Sequence, residues 1–231
     1  MDTIALPPPT LITSSGDARL GLGPYWAPSV CECAQARDRR ARRPKRRGPV
    51  RLGHAVISFD AMRRLFLLRH AKSSWKDREL ADHDRPLAPR GRRATKLIAE
   101  HLRQQSVVPA VVLCSSARRT LETLERISPA LGEEVSVHIE RELYAASEQS
   151  LLERLRGLED GVESVLVIGH NPGLERLVLS LAGSGPGLAS VAHKYPTGAL
   201  ATLEFDGRWR ELRAGSAELA AFVTPQRLAQ R

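Results

Sequence analysis

The sequence predicts an α/β protein with a mostly parallel sheet covered by helices on both faces. Three observations predict it. Short apolar runs such as residues 65–68 and 164–169 carry no polar alternation, as expected of strands buried on both sides. Between such runs lie segments whose apolar residues recur at the helical period. The two kinds of segment alternate along the chain, which is the pattern of a layered sheet with crossover helices.

The elements can be justified in order from Met62 onward. Residues 65–68 form the first strand, and PRGRRATKLIAEHLRQQ then places Ala94, Leu97, Ile98 and Leu102 on one helical face. A second strand over residues 107–113 leads into CSSARR and a helix with Leu121, Leu124, Ile127 and Leu131 in register. Residues 135–139 form a third strand, followed by a helix whose apolar face holds Leu151, Leu152, Leu155 and Leu158. The fourth strand is SVLVIG, after which Asn171 as N-cap and Pro172 in the first turn start a helix with Leu174, Leu177, Val178 and Leu181 inward. GALATLEFDGRW and the following RELRAG read as a hairpin turning at Asp206-Gly207.

Upstream of this domain, residues 1–61 show neither helical nor strand period and read as a disordered basic, proline-rich extension. Ten basic and five acidic residues precede Met62, so this quarter of the chain holds more than half of the net charge of +9. Such a run suits the phosphate charge of nucleic acid or of an acidic membrane surface. The run RDRRARRPKRR has no interleaved aromatic residues for base stacking, which favours a solvated tail. Met62 itself opens MRRLFLLRH, a natural start for a domain whose first strand begins at once, so residues 1–61 can also be read as lying upstream of the true start.

Three cysteines, Cys31, Cys33 and Cys114, are too few for a disulfide framework and suit a reducing cytoplasm. Cys31 and Cys33 lack the second pair of ligands that a zinc site requires. No stretch reaches the roughly 18 apolar residues of a membrane span, and the N-terminus lacks the charged-then-apolar order of a signal peptide. The expectation is a cytoplasmic protein without a membrane partner.

Ligands of α/β sheets bind at the carboxyl ends of strands, and three strands here end in polar residues suited to one task. The first ends in Arg69-His70, the second in Ser115-Ser116-Ala117-Arg118-Arg119, the fourth in Gly169-His170-Asn171. Guanidinium forks match phosphoryl oxygens, and the helix starting after Asn171 adds partial positive charge at its N-terminus. A neutral histidine nitrogen can attack phosphorus, since histidine titrates near about 6.5. Singly, a strand-end histidine is more often a structural residue and a first-turn arginine usually a solvated one; the joint occurrence at three strand ends carries the inference. A metal site on His70 and His170 is disfavoured, because the adjacent arginines repel cations and no nearby cysteine or carboxylate completes the ligand set.

The segments LLRHAKS, CSSARRTLET and VIGHNPGLE together resemble the signatures of the histidine phosphatase superfamily, related to phosphoglycerate mutases, and specifically its short SixA-type phosphohistidine phosphatases. The resemblance continues through DHDRPLAPRG, RELYAAS and KYPTGALATLEF, covering Met62 to about Pro225 and none of the extension. It implies a phosphoglycerate mutase-like three-layer α/β/α sandwich over residues 62–231, with no cofactor and no metal. It also implies that His70 is the nucleophile, that Arg69 and Arg119 bind phosphate, and that His170 is the second pocket histidine. Asn171 joins Arg69, Arg119 and His170 as a substrate-binding candidate. Arg119 rather than Arg118 fits the family pattern, with Thr123 four residues later.

Two departures bear on substrate. Ala71 replaces the glycine that larger members carry after the nucleophile, so the loop does not depend on a glycine-only conformation. The stretch ERELYAASEQSLLERL is short where phosphomonoesterases carry a carboxylic acid in an inserted segment, leaving Glu142 as the nearest general-acid candidate. An alkoxide leaves poorly without a proton donor, whereas a phosphorylated imidazole protonated on its other nitrogen leaves as neutral imidazole. The expected substrate is therefore phosphohistidine on a protein, such as a histidine phosphotransfer domain. The alternatives are a small phosphorylated metabolite, or a non-catalytic phosphate or nucleic-acid binder that uses the basic extension. Lys72, Lys76, Arg78 and Arg85 around the mouth suit an acidic partner, but Asp77, Glu79, Asp82 and Asp84 are interleaved with them.

Overall fold

The computed structural model of the chain describes residues 62–132 and 135–230. The extension expected over residues 1–61, with its basic run and Cys31-Glu32-Cys33, lies outside the described residues.

The described residues build a seven-stranded sheet of β1 (Arg63–Arg69), β2 (Val111–Ser115), β3 (Ser136–Glu140), β4 (Ser164–Gly169), β5 (Ala182–Ser184), β6 (Leu200–Phe205) and β7 (Ala217–Val223). The spatial order is β3-β2-β4-β1-β6-β7-β5. The pairs β1/β4, β2/β4 and β2/β3 are parallel, while β6 runs antiparallel to both β1 and β7. The helices are α1 (Pro89–Gln104), α2 (Arg118–Ile127), α3 (Glu148–Arg156), α4 (Gly173–Leu181), α5 (Leu188–His193) and α6 (Pro225–Leu228).

Two cores form because a strand sends alternate side chains to opposite faces. Leu65 and Leu67 of β1 join Val165 and Val167 of β4 under Leu151 and Leu155 of α3 and Leu174, Leu177 and Leu181 of α4. Phe66 and Leu68 join Leu166 and Ile168 under Ile98 and Leu102 of α1 and Leu124 and Ile127 of α2. The result is the α/β/α sandwich that the unbroken apolar runs predict.

Several boundaries differ from expectation. The second strand begins at Val111 rather than residue 107, because Val107 N–H closes onto Leu102 O at 2.9 Å and Pro109 has no N–H for a ladder. It runs on through Cys114 and Ser115, both fully buried, straight into the site. Pro172 rather than Asn171 is the N-cap of α4. The expected hairpin at Asp206-Gly207 is replaced by a longer excursion, with the second strand at Ala217–Val223 instead of RELRAG. Trp209 causes the detour: it is fully buried in the core, its indole N–H donates to Val162 O at 2.6 Å, and it pulls a 3-10 turn (Trp209–Glu211) out of the sheet. The short β5 and α5 were not expected; neither has the length for a periodic signal.

Among the described residues, no helix is long and apolar enough to cross a membrane.

Candidate active site

The order β2-β4-β1 makes the three polar strand ends immediate neighbours, with β4 in the middle. His70 leaves β1, Ser115 ends β2, and His170 leaves β4. The two imidazoles lie with ring centroids 5.1 Å apart, both buried.

His70 is held by its own neighbour. Its Nδ1 lies 2.8 Å from Ala71 O, a carbonyl that only accepts, so Nδ1 carries the proton and Nε2 keeps its lone pair. Ala71 is in turn fixed by its N–H, which donates to Thr123 Oγ1 at 3.1 Å, and Thr123 donates to Arg119 O at 2.6 Å. Ala71 has no left-handed backbone to strain it; Ser106 and Ala145 are the described non-glycine residues with positive φ. Close approach is instead secured at Gly91 of α1, where a Cβ would sit 2.2 Å from Lys72 O. Burial pushes the His70 pKa down to about 4, against the Ala71 hydrogen bond and with the help of the Arg119 and Arg69 charges.

His170 and Arg119 form a second unit. Arg119 Nη2 donates to His170 Nδ1 at 3.4 Å, so in the neutral ring Nε2–H faces Ser115 Oγ, 2.8 Å away. Burial, His70 and Arg119 lower the His170 pKa to about 3. Arg119 is buried, whereas Arg118 points outward to Glu122 at 3.0 Å; of the two arginines, Arg119 is the one in the pocket. Arg69 reaches Tyr195 O through Nη1 at 2.6 Å, and its Nε is buried with no hydrogen-bond partner among the described residues. Four positively polarised or basic side chains thus converge on one pocket: Arg69, His70, Arg119 and His170.

The other two expected residues behave differently. Glu142 lies exposed on a 3-10 turn (Arg141–Leu143), and among the described residues no hydrogen bond or ion pair ties it to the cluster. Asn171 donates from Nδ2 to Glu175 Oε2 at 2.7 Å and to Tyr195 O at 3.3 Å, so its amide braces the segment that holds Arg69.

In their place the fold brings in Asp82 and Tyr144. Asp82, on a 3-10 turn (Asp82–Asp84), receives Arg119 Nη2 at Oδ2 (2.8 Å) and the Tyr144 hydroxyl at the same atom (2.9 Å); its carbonyl also accepts from Arg119 Nη1. The Tyr144 ring stands edge-on to His170, 5.4 Å between centroids. His83 packs against Tyr144 at 5.0 Å and lies 3.0 Å from Ser116 Oγ through Nε2. In the sequence Asp82 is one of several interleaved loop charges; DHD followed by RPL was the available signal, without anything to single out its first carboxylate.

The chain that carries this pocket is similar to known proteins. A family model described as histidine phosphatase superfamily (branch 1) matches residues 65–146. An uncharacterized protein of Mycobacterium leprae is 38% identical over 167 residues, covering 69% of this chain and all of that protein. The phosphohistidine phosphatase SixA of Escherichia coli is 31% identical over 145 residues, covering 62% of this chain and 85% of the relative. The chain belongs to the histidine phosphatase superfamily. A solved structure of the protein histidine phosphatase SixA with tungstate superposes at a TM-score of 0.59 and 28% identity, covering 71% of this chain and 99% of that one. The family and the likeness to SixA together support phosphatase activity, and the pocket of two arginines and two histidines sits where the parallel strands end.

Proposed function

We propose that this phosphatase hydrolyses phosphohistidine on proteins, through a phosphorylated His70. One observation carries the proposal: the hydrogen bond from His70 Nδ1–H to Ala71 O, which leaves Nε2 free and nucleophilic in a buried ring. The downward shift to about 4 keeps that nitrogen unprotonated throughout the physiological range.

In the first step the Nε2 lone pair bonds to phosphorus while the P–N bond of the substrate breaks. The electron pair of that bond stays on the substrate imidazole, whose other nitrogen already carries a proton, so it departs neutral. Arg69, Arg119 and a neutral His170 hold the phosphoryl oxygens, and the two guanidiniums supply the positive charge that the transition state requires. In the second step water attacks phosphorus, the P–Nε2 bond breaks with its electron pair returning to His70, and both water protons leave on the phosphate as H2PO4⁻.

The transfer is between two imidazoles of like chemistry and calls for no external acid. That fits the exposed Glu142 and the short link between β3 and α3. The similarity to SixA, which binds the tetrahedral oxyanion tungstate in its solved complex, supports the same reading. A histidine displayed on a protein, such as that of a phosphotransfer domain, is the substrate this site suits.

The test is to incubate the protein with a radiolabelled, histidine-phosphorylated phosphotransfer domain, quench in alkali and map the label. An acid-labile adduct on His70, absent in His70→Ala together with turnover, is expected. An adduct elsewhere, or full turnover by His70→Ala, overturns the proposal.

A further inference from the structure

Asp82 is a carboxylate at the rim of a pocket otherwise built for an anion, and the phosphoryl-transfer steps above make no use of it. Half of its side chain is exposed, so a group entering the pocket can meet it. It is anchored by Arg119 at 2.8 Å and by the Tyr144 hydroxyl at 2.9 Å, both on Oδ2. Arg85 approaches Oδ1 only to 3.8 Å, and its guanidinium is turned onto the Trp75 ring at 3.7 Å from Cζ. Among the described residues, Oδ1 therefore has no close hydrogen bond.

We propose that Asp82 is a specificity-determining residue, whose Oδ1 accepts the ring N–H of the departing phosphohistidine imidazole. The proposal rests on the phosphohistidine reading above and names what in the site selects that leaving group. The pocket then treats its two imidazoles alike. Ala71 O receives the Nδ1–H of His70, and Asp82 receives the corresponding N–H of the substrate ring. Each acceptor holds its ring in the form that carries a proton on the nitrogen away from phosphorus, the form that leaves neutral when the P–N bond breaks.

An ionised carboxylate in this place discriminates between substrates. It favours a leaving group that carries a proton and repels one that departs as an anion. Tyr144 and Arg119 hold Asp82 ionised: burial alone would raise its pKa, but the tyrosine hydroxyl and the guanidinium outweigh it and the net shift is downward. The charged and titratable groups facing Asp82 are Arg119, Arg85, Tyr144, His70 and His170, with Asp84 and His83 on its own turn.

The experiment compares Asp82→Asn with the parent on two probes, N-phosphoimidazole and 4-nitrophenyl phosphate, the second of which loses a stable anion. The ratio of kcat/KM for phosphoimidazole over the ester is expected to fall about tenfold or more in Asp82→Asn, equivalent to one charge-assisted hydrogen bond. Asp82→Glu is expected to restore part of it. The loss should be larger at about pH 8 than at about pH 6, because the substrate ring is protonated by solvent at the lower pH and needs the carboxylate only at the higher. Misplacement of Arg119 would lower both rates and cancel in the ratio. A ratio unchanged at both pH values overturns the role of Asp82 and leaves the substrate reading intact. A parent protein that turns over the ester but not phosphoimidazole overturns both.

Discussion

Ser115 Oγ lies 2.8 Å from His170 Nε2, with both groups buried. The hydroxyl can accept a proton from that nitrogen or donate to it, whichever the ring requires. Arg119 donates to Nδ1, so Nε2 holds the proton. For His170 to donate from Nδ1 to a phosphoryl oxygen, the tautomer must switch, and the serine hydroxyl can reverse its direction to follow.

Replacing that hydroxyl removes the switch and leaves the ring in place. Ser115→Ala is expected to lower kcat about fivefold to tenfold with little change in KM, the size of one neutral hydrogen bond lost in the transition state. Steady-state kinetics on a phosphohistidine substrate checks it, and an unchanged kcat would remove Ser115 from the site.

The pH dependence has a definite sign. The free-enzyme kcat/KM should hold as pH falls through about 6.5, the ordinary histidine value. It should drop only as pH approaches about 4, where the buried His70 takes up a proton on its nucleophilic nitrogen. Stability behaves differently over the same window. Both histidines have folded pKa values below the unfolded one, at about 4 and about 3. Below about 6.5 the unfolded chain therefore binds protons that the folded chain does not, and stability falls as pH falls. Thermal melts of the parent and of His170→Asn between these limits would show a shallower acid loss in the variant.

Gly173 sets the position of Tyr144 indirectly. A Cβ there would lie 2.2 Å from Ala146 O and 3.2 Å from Leu151 Cδ1, so the segment carrying Tyr144 has to retreat from α4 in Gly173→Ala. A stability loss of about 1–3 kcal/mol is expected from such overpacking, together with a fall in kcat/KM as the Tyr144 contact to Asp82 is disturbed. Denaturant melts and kinetics on one preparation measure both.

Glu142→Gln is expected to leave turnover of phosphohistidine and of phosphomonoesters within about twofold, as for an exposed surface substitution. A large loss confined to the esters would show instead that Glu142 reaches the leaving group as its acid.

The parts of this protein legible in the sequence are those governed by local chemistry. Residues 164–169 could be assigned exactly as a strand because a two-sided burial leaves an unbroken apolar run, and Leu174, Leu177, Val178 and Leu181 gave α4 its inward face. Arg69, His70 and His170 could be singled out because they sit directly at strand ends, where α/β sheets place their ligands. The hairpin at Asp206-Gly207 failed because a turn signal is local, whereas the Trp209 indole and its acceptor Val162 are far apart in the chain.

Local chemistry along the chain set the alternation of strands and helices, the two faces of the core, and the polar residues delivered at strand ends. Folding in three dimensions placed β4 between β1 and β2, which turns three separated polar segments into one pocket. It also placed a carboxylate against Arg119 there: Asp82, from a loop, while Glu142 lies exposed at the end of a strand. The physical reason is that hydrophobic periodicity is written along the chain, while Asp82 is placed by contacts to Arg119 and Tyr144, residues 37 and 62 positions away.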